Sequence, residues 1–330
     1  MASYKEIFGT NIEVLASDPA NPVTGQVWYN STDNVVKGAA ATIAGAWATG
    51  GNLNTARQGF SGGAGTQTSA LGTGGEPFTG VTESYNGTSW TEVNDLNTAR
   101  RNNAQIGADN TSALSFAGNT PPNTSVANNE SWNGTCWTAV NNLNTAARAR
   151  QGSGITAAAL AFGGGLPGVT PAITNTETWN ETSWTEVNDL NTARYYFASS
   201  GYGPNNATLA YGGDSALTNT ESWNGTCWAE VNDLNTGRRV LAGAGTQTSA
   251  LAFGGYTGTA GTGATEVWNG TSWAEDSDLN TVRWELGGSG SSNAAALAFG
   301  GFDPGPSGVS AATEEWTGAG APLTVTFTDS

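Results

Sequence analysis

The chain has 330 residues with a net charge of −16, 47 glycines, 13 tryptophans and no histidine. An acidic surface of this kind repels nucleic acid and anionic membranes, and no apolar run approaches the roughly 20 residues that span a bilayer. The missing histidine removes the commonest general base and the commonest metal ligand.

The first 42 residues do not repeat. MASYKEIFGTNIEVL lacks the basic start and apolar stretch of a signal peptide, so synthesis in a cytoplasm without a cleaved leader is expected. Two prolines follow within ASDPANPVTGQVWYNSTDNVVKG (16–38), and STDN (31–34) predicts a hairpin turn.

From about residue 43 one unit recurs, marked by four features in fixed order. The first is an apolar strand ending in glycine, as in SALGTGG (69–75), AALAFGG (158–164) and SALAFGG (249–255). The second is an aromatic at Tyr85, Trp132, Trp179, Trp223, Trp268 or Trp316. The third is a tryptophan five residues later, at Trp90, Trp137, Trp184, Trp228 and Trp273. The fourth is a variant of DLNTAR that ends at Arg57, Arg100, Arg148, Arg194, Arg238 or Arg283, with spacings of 43, 48, 46, 44 and 45.

Each mark has a mechanical reason. In SALAF, Leu251 and Phe253 alternate with Ala250 and Ala252, the period-two pattern of a strand. One face is bulky and the other small, which predicts sheets stacked bulky face to small face. Asn-Gly between the two aromatics is a strong hairpin signal, and it places Trp268 near Trp273. Cys136 and Cys227 occupy the serine position of that hairpin in two different copies. They are read as serine-like thiols, too far apart for a disulfide.

Together these marks resemble the kelch repeat, in which a strand ends in Gly-Gly and is followed by an aromatic, a tryptophan, a leucine and a terminal arginine. The resemblance covers about residues 43–317 in six copies. It implies an all-β fold: a six-bladed kelch-like β-propeller with four antiparallel strands per blade, preceded by an N-terminal arm (1–42) and occupying 43–330. The first copy, GAWATGGNLNTAR (45–57), holds only a last strand, and the sixth lacks one. The strand around Trp47 is therefore expected to complete the sheet begun by residues 284–316. LTVTFT, within 321–330, reads as a further strand, placed either as the fourth strand of the last blade or outside the ring.

The segment GQVWYNSTDN…KG resembles the starts of virion proteins from tailed bacteriophages, marine ones in particular. That resemblance implies a structural protein of the virion, such as a tail fibre, made in the host cytoplasm.

The six terminal arginines, with Arg101, Arg150 and Arg239 close behind, recur too evenly for a sialidase-type cluster and are read as scaffold. Asp95, Asp189, Asp233 and Asp278 would serve them as ion-pair partners or cap turns. The copper chemistry of kelch-type oxidases needs histidine and does not carry over. Glu285, Asp303 and Glu315 are non-repeating acids, but nothing singles out a glycosidase pair. No calcium loop of the EF-hand type is present, and no cofactor or metal is expected. Asn86, Asn133 and Asn269, in N-x-[ST] sequons, are read as turn residues.

The loops after Gly-Gly and after each terminal arginine vary from copy to copy, and binding residues concentrate on variable loops over a rigid frame. The candidate ligand contacts are Phe78, Arg101, Tyr195, Tyr196, Arg239, Tyr256, Trp284 and Phe302. Aromatics such as Phe78, Tyr256, Phe302 and Trp284 suit sugar stacking. The expected role is non-enzymatic: attachment to a host-surface glycan or protein, or virion assembly, with the arm contacting other virion proteins. A carbohydrate-active enzyme and an intracellular protein-interaction module are the alternatives.

Overall fold

The computed structural model describes residues 12–19, 26–39, 44–166, 172–305, 308–319 and 324–327. Among them the chain is strand and turn, with no helix. Two compact units are formed: 46–317, and a smaller one made of 1–45 with 318–330. The larger unit is thus an insertion into the smaller.

Six four-stranded antiparallel sheets make up the larger unit. Sheet 1 consists of Ala64–Thr66, Ser69–Thr73, Thr82–Tyr85 and Trp90–Val93. Sheets 2 to 5 repeat this order within 104–140, 151–187, 198–231 and 242–276. Sheet 6 is composite: Gly287–Ser292, Ala295–Phe299 and Thr313–Thr317 are joined by Ala46–Thr49, with Trp47 opposite Trp316. The N-terminal side of the unit therefore supplies the missing strand, as the truncated first copy suggests. Thr324–Phe327 instead pairs with Val35–Ala39 in the smaller unit.

The alternation of large and small residues sets how the sheets stack. Leu209 and Tyr211 of sheet 4 pack on Ala250 and Ala252 of sheet 5. Leu251 and Phe253 pack in turn on Ala296 and Ala298 of sheet 6, and Leu297 and Phe299 on Ala70 of sheet 1. Sheet 1 carries Gly72 where most copies have alanine or serine, and a Cβ there would lie 2.9 Å from the Phe299 ring. The first strands of successive sheets adjoin one another, and Gly287–Ser292 adjoins Ala64–Thr66, so the series returns to its start.

Buried ion pairs join neighbouring sheets. Arg57 follows the last strand of sheet 6, is fully buried, and donates at 2.9 Å to Glu83 of sheet 1. It also donates to the carbonyls of Gly74 and Val81. Glu83 further accepts from the Asn54 backbone N–H, the Asn54 amide and the Thr55 backbone N–H. Glu130, Glu177, Glu221, Glu266 and Glu314 repeat this role. The repeat aspartates do not pair with these arginines. Asp95, Asp189, Asp233 and Asp278 accept the backbone N–H of Thr82, Thr176, Thr220 and Thr265, as turn caps.

One assignment of the motif is corrected. In the third copy Ala147 holds the arginine position, and Arg150, three residues on, reaches Glu177 at 2.9 Å. Arg148 is not the terminal arginine of the scaffold. It stands where the other copies have Arg101, Tyr195, Arg239 and Trp284.

A second junction bond links the last-strand tryptophan to a threonine of the preceding sheet. Trp47, Trp90, Trp137, Trp228 and Trp273 donate through Nε1 to Thr265, Thr313, Thr82, Thr176 and Thr220 at 2.9–3.1 Å. Sheet 2 has Asn129 at the threonine position, and the buried Nε1 of Trp184 has no acceptor there. The ion pair of that sheet is also the longest, Arg100 to Glu130 at 3.3 Å, and burial pushes the Arg100 guanidinium down to about 10.

In the smaller unit Glu13–Leu15 runs parallel to Val27–Asn30, which pairs antiparallel with Val35–Ala39. The turn between the latter two is the expected Ser31–Asn34 stretch, capped by Asn30 Oδ1 on the N–H groups of Thr32 and Asp33. Asp18 accepts from the buried Trp28 Nε1 at 3.1 Å, from Asn30 at 2.8 Å and from Lys37 at 2.9 Å. Much of the GQVWYNSTDN…KG stretch is therefore held together by one carboxylate.

Asn129→Thr is expected to stabilise the protein by about 1 kcal/mol, by giving Trp184 its acceptor. Chemical denaturation checks this, and an unchanged or lowered midpoint refutes it. In the smaller unit, hydrogen bonds from Lys37, Asn30 and Trp28 hold the Asp18 carboxyl at about 2 against an ordinary 3.8. A lowered carboxyl pKa stabilises the fold above 3.8, and the contribution disappears as pH falls through about 2. The Trp28 indole N–H resonance should move over that interval in the native chain and stay flat in Asp18→Asn. Identical titrations in both proteins would rule the linkage out.

Candidate functional site

Each sheet of the larger unit brings its two variable segments together. The residue after the terminal arginine position bridges the residue after the Gly-Gly position: Gln58 with Glu76, Arg101 with Asn119, Arg148 with Gly165, Arg239 with Tyr256 and Trp284 with Phe302. In sheet 4 the Asp214 N–H donates to the Tyr195 carbonyl at 2.9 Å.

The next residue in every copy has positive φ: Gly59 75°, Asn102 52°, Ala149 50°, Tyr196 54°, Val240 47° and Glu285 55°. Their backbones form a belt. Asn102 donates to Gly59, Ala149 to Asn102, Val240 to Tyr196, Glu285 to Val240 and Gly59 to Glu285, at 2.7–3.1 Å. Five of the six have a side chain in a conformation that favours glycine, at about 1–2 kcal/mol each. For β-branched Val240 the strain is the most marked.

Side chains outside this belt form two contact groups. In the first, the Arg101 guanidinium lies 4.7 Å over the Phe78 ring and pairs with Glu76. In the second, Asp214 pairs with Arg239 at 3.3 Å, and burial together with the nearby Asp214 carboxylate raises the Tyr195 hydroxyl above its ordinary value. Arg239 lies 5.3 Å over the Tyr256 ring, Tyr256 meets Trp284 edge-on at 5.6 Å, and Trp284 packs on Phe302 at 4.7 Å. Of the eight residues named from sequence, Tyr195 is buried at 7% exposure and supports the others. Tyr196 is half-buried, with its ring 4.9 Å from that of Tyr195. Phe78, Arg101, Arg239, Tyr256, Trp284 and Phe302 are likewise half-buried.

Charge is unevenly spent. Of nine arginines, six are fully buried in the sheet junctions. The other three, Arg101, Arg148 and Arg239, all sit at the variable position after the motif arginine. Both lysines, Lys5 and Lys37, belong to the smaller unit. Every cation of 46–317 outside the junctions therefore lies on these loops. Burial raises the Glu285 carboxyl above its ordinary value, opposed by Arg101 and Arg239, and burial also raises the Tyr196 hydroxyl.

Sequence reasoning passed over Glu76 and Asp214, which pin two of the loop arginines, and it assigned Arg148 to the scaffold. Spacing from the motif leucine is the signal that separates Arg148 from Arg150: the arginine position lies four residues after Leu53, Leu96, Leu190, Leu234 and Leu279, and four after Leu143 is Ala147. Among the described residues no group of three or more histidine, cysteine, aspartate or glutamate side chains converges as a metal site. Cys136 and Cys227 are free and exposed on their hairpins. The chain matches no protein-family model and no curated protein.

Val240→Asn places a residue that tolerates left-handed backbone in the belt, and a gain of about 1 kcal/mol is expected. Equilibrium denaturation measures it. A loss of stability would mean that Val240 packing outweighs the strain.

Proposed function

We propose that residues 46–317 form a six-bladed kelch-type propeller that acts as a non-enzymatic binding module on a virion appendage, gripping host-surface glycan with its variable loops. The cyclic order of the first strands, the backbone belt and the composite sixth sheet support the propeller reading. Support for binding comes chiefly from one observation: the repeating side chains are consumed in sheet junctions, whereas the non-repeating ones of the loops make a continuous run from Asp214 to Phe302. Aromatic rings beside an arginine–aspartate pair suit a sugar, offering faces for stacking and polar groups for hydroxyls.

The virion assignment rests on the N-terminal stretch 25–38 and its likeness to tailed-phage structural proteins. It is consistent with the insertion topology. The Ala39–Thr324 pair of the smaller unit and the Ala46–Thr317 pair of the larger one bracket both connections, so the chain passes between the two units twice. Glu285, a half-buried carboxyl with raised pKa, favours the enzymatic alternative, and turnover is where the two readings part.

Purified protein is expected to bind host-cell polysaccharide without cleaving it. Trp284→Ala should weaken binding about tenfold with little change in thermal midpoint. Polysaccharide cleavage abolished by Glu285→Gln would replace this reading with the enzyme. Mass spectrometry of purified particles tests the location, and absence of the chain would remove the virion assignment.

A further inference from the structure

We propose that Arg148 is the carboxylate contact for an acidic sugar bound on the loops of the larger unit. This rests on the glycan reading above and specifies the class of glycan. Eight of the nine arginines have an acidic partner within 4 Å: the six junction residues, Arg101 with Glu76 and Arg239 with Asp214. Arg148 has none among the described residues, and residues 167–171, which are outside the described residues, include no acidic residue in sequence. A shortage of acids is not the reason, because the chain carries 27 acids against 11 bases.

The surroundings of Arg148 explain what its partner must be. Its Nε is buried and has no acceptor among the described residues, as in Arg100, Arg101, Arg150, Arg238 and Arg283, but unlike them it also lacks an acidic partner there. Its backbone is fixed by reciprocal hydrogen bonds with Gly165, at 3.0 and 2.8 Å. A Cβ on residue 165 would lie 3.6 Å from Arg148 Nε and 3.3 Å from the Tyr195 ring. Glycine at 165 thus lets Arg148 and the buried Tyr195 ring pack closely over its backbone, and half-buried Tyr196 stands next to that ring. A guanidinium with no acidic partner among the described residues matches the planar, bidentate geometry of a carboxylate, and the half-buried Tyr196 ring suits a pyranose face.

The charge of the whole chain narrows the ligand further. A net charge of −16 repels densely charged polyanions such as nucleic acid or a run of glutamates. It tolerates a polymer whose carboxylates are spaced one per repeating unit, one of them met by the single arginine without an acidic partner. An acidic polysaccharide has that spacing.

The test uses the full chain and the Nε–Hε resonance of Arg148, identified by its loss in Arg148→Lys. Glucuronate, galacturonate and N-acetylneuraminate are the probes, with their methyl esters as uncharged controls. At least one acid should shift the resonance while its ester does not. Arg148→Gln should lower affinity for that acid about ten- to hundredfold at an unchanged thermal midpoint, and Arg148→Lys should retain part of it. Trp284→Ala should weaken acidic and neutral sugars alike. Equal binding of acid and ester, or an Arg148→Gln protein that still discriminates between them, overturns the role of Arg148 and leaves the glycan reading standing. If no sugar perturbs the loops, both fall. A glutamate-rich peptide that shifts Arg148 where sugars do not would overturn the sugar assignment in favour of an acidic protein.

Discussion

The larger unit depends on a guanidinium and a carboxylate buried together at each junction between sheets. Such a pair is unfavourable when left half-satisfied, because desolvation of the two ions exceeds their attraction unless hydrogen bonds fill the remaining positions. Here they are filled. Glu83 accepts four donors, and Arg57 also caps the carbonyls of Gly74 and Val81. One ion pair thereby fixes the turn leaving one sheet, the strand of the next, and the Gly-Gly exit beside it. The third copy makes the point most clearly. With alanine at position 147, the charge is delivered from position 150, so the guanidinium keeps its place although the motif residue is lost.

This economy decides where function can lie. Buried pairs use six of the nine arginines and six glutamates, and the paired tryptophans use most of the indoles. A side chain locked into such a junction is unable to change identity without unpairing a buried partner, which typically costs about 3–5 kcal/mol for an ion. The loops carry no such constraint, and there the copies differ.

The strands were legible because alternation of Leu or Phe with Ala is a local pattern, and the composite sheet because the missing strand at one end matched the surplus at the other. The glutamate of the TES-W strands went unread. Its partner lies some thirty residues away on another sheet, so in sequence it resembles any polar residue facing solvent, whereas Glu177 and Glu221 are fully buried. Arg148 was misassigned for a related reason: a repeat aligned on residue type hides a substitution that backbone geometry reveals. The left-handed belt was equally silent, since Ala149, Val240 and Glu285 are not residues that announce positive φ.

The belt and the ion pairs together account for the position of the candidate contacts. In every copy the variable residue is held on one side by the motif position, where five of six copies carry the buried arginine, and on the other by the belt residue. Gln58 lies between Arg57 and Gly59, Arg101 between Arg100 and Asn102, Trp284 between Arg283 and Glu285. Its backbone is therefore fixed at both neighbours while its side chain belongs to no junction. Such a position can take glutamine, arginine, tyrosine or tryptophan without penalty to the scaffold, and whatever it takes is presented with little freedom left to lose on binding. Divergence among the six copies at that one position is what the proposed binding surface built on a repeat requires, because only there can a side chain change without unpairing a junction.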